Sequence, residues 1–389
     1  MRINITNPMF FLIIVLEIFY IFMSRSGNDF AMISSNNYLF SIFLSIILIL
    51  FAIVNKYKLY TGFVFLAFFP IIGLVTFFLH TNPMQSFLSF LNYYLTLLNL
   101  IFFYAFLKEN NLFHKFLTIY IQLTYVIVFF GLIQVLGFVE FSSRSYLTSS
   151  QELSSFGIIR ITSIFDEPSA LSFFLLPAII ISLYLKKHIS YIIFTFTIFL
   201  SMSIFGFLGV VTLSIGYFII RSDNKFNFLI FLLAFLSLLF SLIYFDISYF
   251  HEAYEVVLSR LSNINDQSYY RIYAPLALFE GFLSDGPSFL FGHGISQISQ
   301  YTQNYWFPEY PNTSHSLIAD MLFEVGIIGF ILFLVFFKKT FKGRNDLLLI
   351  SFIFIILGFG WRSPSLILVV ITLLALKNIS LPGPNYKCL

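Results

Sequence analysis

Charge is the scarcest property of this sequence. Asp, Glu, Lys and Arg make up only 10% of its 389 residues, against roughly a quarter in an ordinary soluble domain. Cysteine is nearly missing: Cys388 is the single thiol. That excludes an internal disulfide and a cysteine metal cluster, and the residue reads as an incidental tail thiol. The formal charge of +3 is too small to point to nucleic acid. What fills the chain instead is apolar. Hydrophobic residues are 59% of it, with 56 Phe and 23 Tyr. A soluble fold of this size has no way to bury that much apolar surface. A secreted disulfide scaffold, a disordered chain and a cytosolic enzyme are all excluded. The expectation is an all-α integral membrane protein with many spans and short loops.

A membrane-crossing helix needs roughly 17–25 mostly apolar residues. Such runs occur near 8–23, 38–54, 59–79, 86–107, 116–139, 169–185, 226–245, 315–337, 345–360 and 364–377. Arg2 precedes the first, with no small-x-small cleavage site after it, so it reads as a retained span. The stretch 189–220 is too long for one crossing: at about 1.5 Å per residue it would reach near 48 Å, against a core of about 30 Å. Its middle, Ser201-Met202-Ser203 with Gly206 and Gly209, allows a tight turn. Charge asymmetry decides. Splitting the stretch gives about 12 spans with both ends inside, and 15 basic residues inside against 6 outside. Leaving it whole gives 10 against 11.

The same count separates lysine from arginine. All 12 lysines fall inside, and the six outside cations are Arg25, Arg144, Arg160, Arg260, Arg271 and Arg362. The positive-inside bias accounts for absent lysines but not for retained arginines. Arginine is the side chain for bidentate recognition of phosphate or carboxylate. The alternative is ordinary pairing with the outside acids.

Two outside segments are long enough to hold a site, 140–168 and 246–314. The second opens with an amphipathic helix over 246–261, whose Ile247, Phe250, Tyr254, Val257, Leu258 and Leu261 recur at helical spacing. A helical stretch follows Arg271, and then turns at Asp285-Gly286-Pro287 and Gly292-His293-Gly294. The first long loop ends Arg160-Ile-Thr-Ser-Ile-Phe-Asp166-Glu167-Pro168. Pro168 suits the first turn of a helix, and Asp166 and Glu167 suit its positive end. Arg160 lies in the apolar stretch Gly157-Ile-Ile-Arg-Ile and is expected close to the membrane. Asp320 and Glu324 share one face of the span that starts near His315, and read as interior packing or arginine partners. Gly326 and Gly329 read as positions of close helix packing.

These elements resemble the O-antigen ligase and polymerase (Wzy-type) superfamily. His315-Ser316 is followed after nine residues by Gly326-Ile-Ile-Gly329. Arg160 precedes Phe165-Asp-Glu167-Pro168-Ser169-Ala170, and Arg271 precedes Phe291-Gly292-His-Gly294 by about 20 residues. The three stand in the family's order. The resemblance implies a membrane-embedded glycosyltransferase of the C class, with a polyprenyl-diphosphate-linked oligosaccharide as donor. A polymerase passes it to a second lipid-linked repeat unit, making O-antigen, capsule or exopolysaccharide. A ligase passes it to lipid A–core, and a protein O-oligosaccharyltransferase to protein. The resemblance further implies the outer face of the bacterial cytoplasmic membrane, with a flippase and a chain-length regulator as partners.

On this reading Arg160 and Arg271 bind the donor diphosphate, and Gly292 and Gly294 either contact it or shape a turn. His315 is the general base or orients the acceptor hydroxyl; a helix cap is the bland alternative. Glu167 binds a sugar hydroxyl, orients Arg160 or serves as base. No metal and no other cofactor is expected: the outside segments hold no Asp-x-Asp pair, so arginine takes the charge-stabilising role. A transporter or lipid flippase is the competing class, since twelve spans suit it equally. The expected organisation is a five-span bundle (1–139), a first loop (140–168), spans six to nine (169–245), a large loop (246–314) and three final spans with a tail (315–389). Cysteines placed at 265 and 343, with Cys388 removed, should label with an impermeant reagent from outside and inside respectively. The reverse pattern would overturn the topology.

Overall fold

The computed structural model describes residues 7–23, 31–75, 83–135, 161, 163, 165, 168–201, 203–221, 270–284, 286–295, 297–302, 316–357 and 364–379. Among them every regular element is a helix: α1 (Asn7–Met23), α2 (Ala31–Asn55), α3 (Phe63–Val75), α4 (Pro83–Glu109), α5 (Phe113–Val135), α6 (Pro168–Tyr184), α7 (His188–Leu200), α8 (Ile204–Arg221), α9 (Tyr270–Leu283), α10 (Gly286–Phe291), α11 (Ile298–Thr302), α12 (Leu317–Thr340), α13 (Asn345–Ile356) and α14 (Pro364–Asn378). The all-α expectation holds for these residues. The run at 226–245 and the amphipathic segment 246–261 lie outside them.

Within α5 and α12, Phe113–Gln134 and Leu317–Thr340 are each long and apolar enough to cross a bilayer. Shorter apolar helices surround them. Many present large apolar side chains outward, such as Phe43, Ile46, Leu50 and Ile53 of α2 and Ile189, Ile192 and Phe196 of α7. Water would disfavour such faces; hydrocarbon does not. At the centre stands α6, buried from Ala170 to Tyr184 on all sides, as an all-round apolar helix must be. It packs against α5, α7, α8 and α14.

The long stretch 189–220 is two helices. α7 ends at Ser201 and α8 starts at Ile204, capped by the Ser203 hydroxyl, which accepts from the Gly206 amide at 3.1 Å. Gly206 and Gly209 of α8 then approach α6 closely: a Cβ at Gly206 would stand 2.3 Å from Ser172 Oγ, and one at Gly209 2.6 Å from Leu176.

Prolines lie inside α3, α6 and α9, at Pro70, Pro177 and Pro275, and at the first two a tyrosine bonds to a carbonyl in the turn before the proline. Pro70 in α3 has no N–H for the carbonyl of Leu66, four residues back. The Tyr93 hydroxyl of α4 donates to that oxygen at 3.1 Å, and Tyr94 donates to Ala67 next to it. Pro177 in α6 disturbs the turn above it, and there Tyr120 of α5 donates to the Phe174 carbonyl at 2.6 Å. Elsewhere, at the start of α13, Asp346 takes two parallel bonds of 3.0 Å from Arg344 and one of 2.7 Å from Tyr184, tying α6 to α13.

The Pro70–Tyr93 pairing makes a double-mutant prediction. Tyr93→Phe should lower the thermal midpoint, because a buried carbonyl left unpaired costs about 1–3 kcal/mol. With Pro70→Ala added, the alanine amide can serve Leu66, so the same Tyr93→Phe change should cost markedly less. Equal costs in both backgrounds would disprove the pairing.

A helix pair and a buried arm form the candidate functional site

The end of the first long loop is not a surface loop. Ile161, Ser163 and Phe165 are buried at 0%, 0% and 2% exposure. The chain lies in a crevice of α5, α6 and α7. The Ile161 amide donates to the carbonyl of Leu200 at 3.4 Å, at the end of α7. The Ser163 amide donates to Gln134 Oε1 at 2.8 Å, and the Ser163 hydroxyl to the carbonyl of Ile127 at 2.7 Å. Room for this comes from Gly131, where a Cβ would stand 2.7 Å from the Ile161 side chain. Phe165 packs on Phe174 of α6 at 5.7 Å between ring centroids. Arg160 and Glu167, at the two ends of this arm, lie outside the described residues. Pro168 starts α6 as expected.

The second site element is a pair of helices. Gly281 near the end of α9 lies against Phe323 of α12: a Cβ there would stand 2.9 Å from the Phe323 ring. One turn earlier in each helix, Leu278 and Ala319 belong with Phe323 and Ile298 to one small buried cluster. The first turn of α9 contains the backbone of Arg271. α12 starts after Ser316, its N-cap, whose hydroxyl accepts from the Ala319 amide at 3.3 Å. His315 itself lies outside the described residues but is the neighbour of that cap in sequence. Asp320 and Glu324 are buried in the first two turns of α12.

The pair is interlocked through backbone. α12 is broken at Gly326, which has φ 66° and ψ −175°. A continuous helix would give the carbonyls of Phe323 and Glu324 to amides four residues on. Here the Phe323 carbonyl accepts from His293 at 2.6 Å and the Glu324 carbonyl from Gly294 at 3.0 Å. Gly292, Gly294 and Gly326 all have positive φ. A Cβ on Gly292 would sit 2.4 Å from the Glu324 carbonyl carbon, and one on Gly326 2.3 Å from the Leu290 carbonyl oxygen. Two glycines, one on each side, let the backbones touch. This corrects the expectation for Gly326, which is a break in the helix and not only a packing position.

The amides of Gly292 and Gly294 are both engaged inside the protein, the former with the Ser288 carbonyl at 2.8 Å. The turn-shaping role foreseen for these glycines is the geometry seen. His293 completes the lock. Its Nε2 lies 2.8 Å from the Gly281 carbonyl, an acceptor only, so Nε2 carries the proton and Nδ1 faces the Ser288 hydroxyl at 3.4 Å. Its ring stacks on Phe323 at 4.5 Å. His293, Gln134 and Ser163 were not singled out from the sequence. The Gly-x-Gly turn hinted at the first, while nothing in the sequence separates Gln134 from Gln122, the other glutamine of α5.

Residues 189–334 match the family model described as O-Antigen ligase. The match runs from α7 into α12 and holds Arg271, the Gly292–Gly294 turn and His315; Arg160 and Glu167 precede it. It bears out the superfamily resemblance drawn from the motifs. No curated protein and no solved structure matches the chain.

Gly326→Ala should break the lock, since it combines the 2.3 Å clash with a positive φ. A loss of about 2 kcal/mol or more is expected in thermal or denaturant unfolding. Gly343→Ala isolates the conformational share, because Gly343 has φ +81° but nothing within 4 Å of a Cβ. Similar costs for the two would mean that the contact with Leu290 is unimportant.

Proposed function

We propose that this chain, whose residues 189–334 are those of the O-antigen ligase and polymerase superfamily, is an oligosaccharide repeat-unit polymerase. It is read as a metal-independent glycosyltransferase of about 12 spans, working at the outer face of a bacterial cytoplasmic membrane. Its donor is a polyprenyl-diphosphate-linked glycan. The observation that supports this reading is the packing of α9, whose first turn contains Arg271, against α12, whose cap Ser316 is next in sequence to His315, both within the segment that matches the family model.

The reaction needs two things of such a site. The acceptor hydroxyl has a pKa far above 7, so a group must take its proton as oxygen attacks the anomeric carbon. A neutral imidazole at His315 suits that task. As the new C–O bond forms, the bond from the anomeric carbon to the diphosphate oxygen breaks. The electron pair leaves with the lipid diphosphate, and its growing negative charge needs fixed donors. Arg271 from α9 and Arg160 from the buried arm are assigned to it. Gly292 and Gly294 are assigned to donor binding through the turn they shape against α12. Glu167 is assigned to a sugar hydroxyl or to orienting Arg160, and is the base if His315 is not.

A ligase is the second reading, favoured by the description of the matched family itself. The acceptor separates the two. Purified protein given only the lipid-linked donor should yield polymer if it is a polymerase. A ligase should give no product until lipid A–core is added.

His315→Ala should abolish transfer while leaving donor binding largely intact. A residual rate above about a tenth of normal would fall short of the roughly 10²–10⁴-fold expected of a general base, and would move that role to Glu167. Arg160→Lys should fail almost as badly as Arg160→Ala, about 10²–10³-fold, because lysine lacks the bidentate fork. Near-normal product from Arg160→Lys at equal expression would remove the clamp.

A further inference from the structure

Glu17 Oε1 and Thr372 Oγ1 are buried and have no hydrogen-bond partner among the described residues. They belong to helices that pack on each other, α1 and α14, and their residues are 2% and 1% exposed. A carboxyl group buried without a partner is costly and points to a function. Where it stands follows from a few contacts. Phe10 of α1 and Phe51 of α2 both lie on Phe106 of α4, at 5.6 and 6.3 Å between ring centroids. The Ser45 hydroxyl of α2 donates to Asn99 Oδ1 of α4 at 2.6 Å, so α2 and α4 run in the same direction. α1 runs opposite to both. Were it parallel to α2, Met23 and Ala31 would stand about 50 Å apart, whereas the chain between them reaches about 29 Å at most.

Glu17 follows Phe10 by seven residues, and Asn99 precedes Phe106 by seven. That step is close to two full helical turns. Glu17 therefore lies on the face of α1 that Phe10 turns to α4, and Asn99 on the face of α4 that Phe106 turns to α1. Both stand about 10 Å to the same side of the rings. Thr372 comes to this level from α14. Asn378 Nδ2 donates to the Tyr104 hydroxyl at 3.4 Å. The residues from Leu368 to Leu376 are all buried, which requires α14 to run back from there beside α4, since α4 ends at Glu109, five residues past Tyr104. Six residues back along α14 is Thr372, and five back along α4 is Asn99.

We propose that Glu17, Ser45, Asn99 and Thr372 form a binding site for one alkali-metal cation. Four helices each bring a hard oxygen ligand to one level, with a single negative charge among them. Ser45 gives its proton to Asn99, so its lone pairs stay available, and Asn99 Oδ1 keeps a second one. A singly charged ion neutralises Glu17, whereas a divalent ion would leave a net charge in an apolar interior. No described side chain supplies that positive charge. α2 has no acidic or basic residue. The charged and imidazole groups of α4, α5 and α14, namely Lys108, Glu109, His114, Lys115 and Lys377, stand in terminal turns, and Lys377 donates to the Thr340 carbonyl. The site is independent of the glycosyl-transfer reading, since all four residues lie outside the matched segment.

The test uses the full-length protein in nanodiscs. Its thermal midpoint is followed as sodium or potassium chloride replaces choline chloride at constant ionic strength, and binding of radioactive sodium is measured alongside. Either metal ion should raise the midpoint saturably, as a ligand of the folded state does, and choline, too large for the site, should not. Glu17→Gln keeps the shape and removes the charge, and should abolish both the response and sodium binding. Thr372→Val keeps the shape and removes one oxygen, and should raise the half-saturating concentration by about tenfold. If Glu17→Gln does not fold, Thr372→Val decides the matter. A wild type without a cation response would overturn the site, as would a response that survives Glu17→Gln or an affinity unchanged in Thr372→Val. So would a midpoint that rises on acidification but ignores both metal ions, because Glu17 would then be held as the neutral acid.

Discussion

A backbone N–H or C=O left unpaired in hydrocarbon costs several kcal/mol, and no water is there to relieve it. That constraint organises this protein. Beside several interruptions another group bonds to backbone carbonyls: Tyr93 takes the one that Pro70 orphans and Tyr94 its neighbour, and Tyr120 takes the Phe174 carbonyl in the turn before Pro177. At the end of α7 the Leu200 carbonyl accepts from Ile161, and before the Gly326 break two carbonyls of α12 accept from His293 and Gly294.

The last two differ from the first two in what does the repair. A tyrosine repairs a break with a side chain and brings nothing else along. Ile161 and the His293–Gly294 pair repair it with backbone, so a whole segment must enter the bundle. Those segments are the ones that lead to the candidate residues. The arm carrying Ile161 runs between Arg160 and Glu167, and the turn carrying His293 follows the helix that starts with Arg271. The interruptions of α7–α8 and α12 thus serve as sockets. An irregular segment docked in a socket is held by several partners at once.

Stiffness also comes from crowding. In the lock, glycine is required on both sides because each backbone occupies the space of the other's missing Cβ. Around it, His293, Tyr301 and Phe323 stack within 4.5 to 5.9 Å. The His293 side chain ties this lock to α9 through the Gly281 carbonyl, and Leu278, Ala319 and Phe323 pack together between α9 and α12.

Composition and periodicity determined a good deal. The scarcity of charge pointed to helices, and every regular element among the described residues is one, because apolar runs without water need intrasegment hydrogen bonds. Ser201 to Ser203 announced the break between α7 and α8, and Ser316 the start of α12. The three motifs pointed to Arg160, Arg271, Gly292, Gly294 and His315 as chemistry-bearing. The sequence did not show that the stretch after Arg160 is buried, that Gly326 breaks its helix, or that Gln134 of α5 touches the arm. Each of these is a contact between residues 29 to 39 positions apart. Local propensity carries no record of such contacts. Only tertiary packing decides which freed carbonyl meets which free amide.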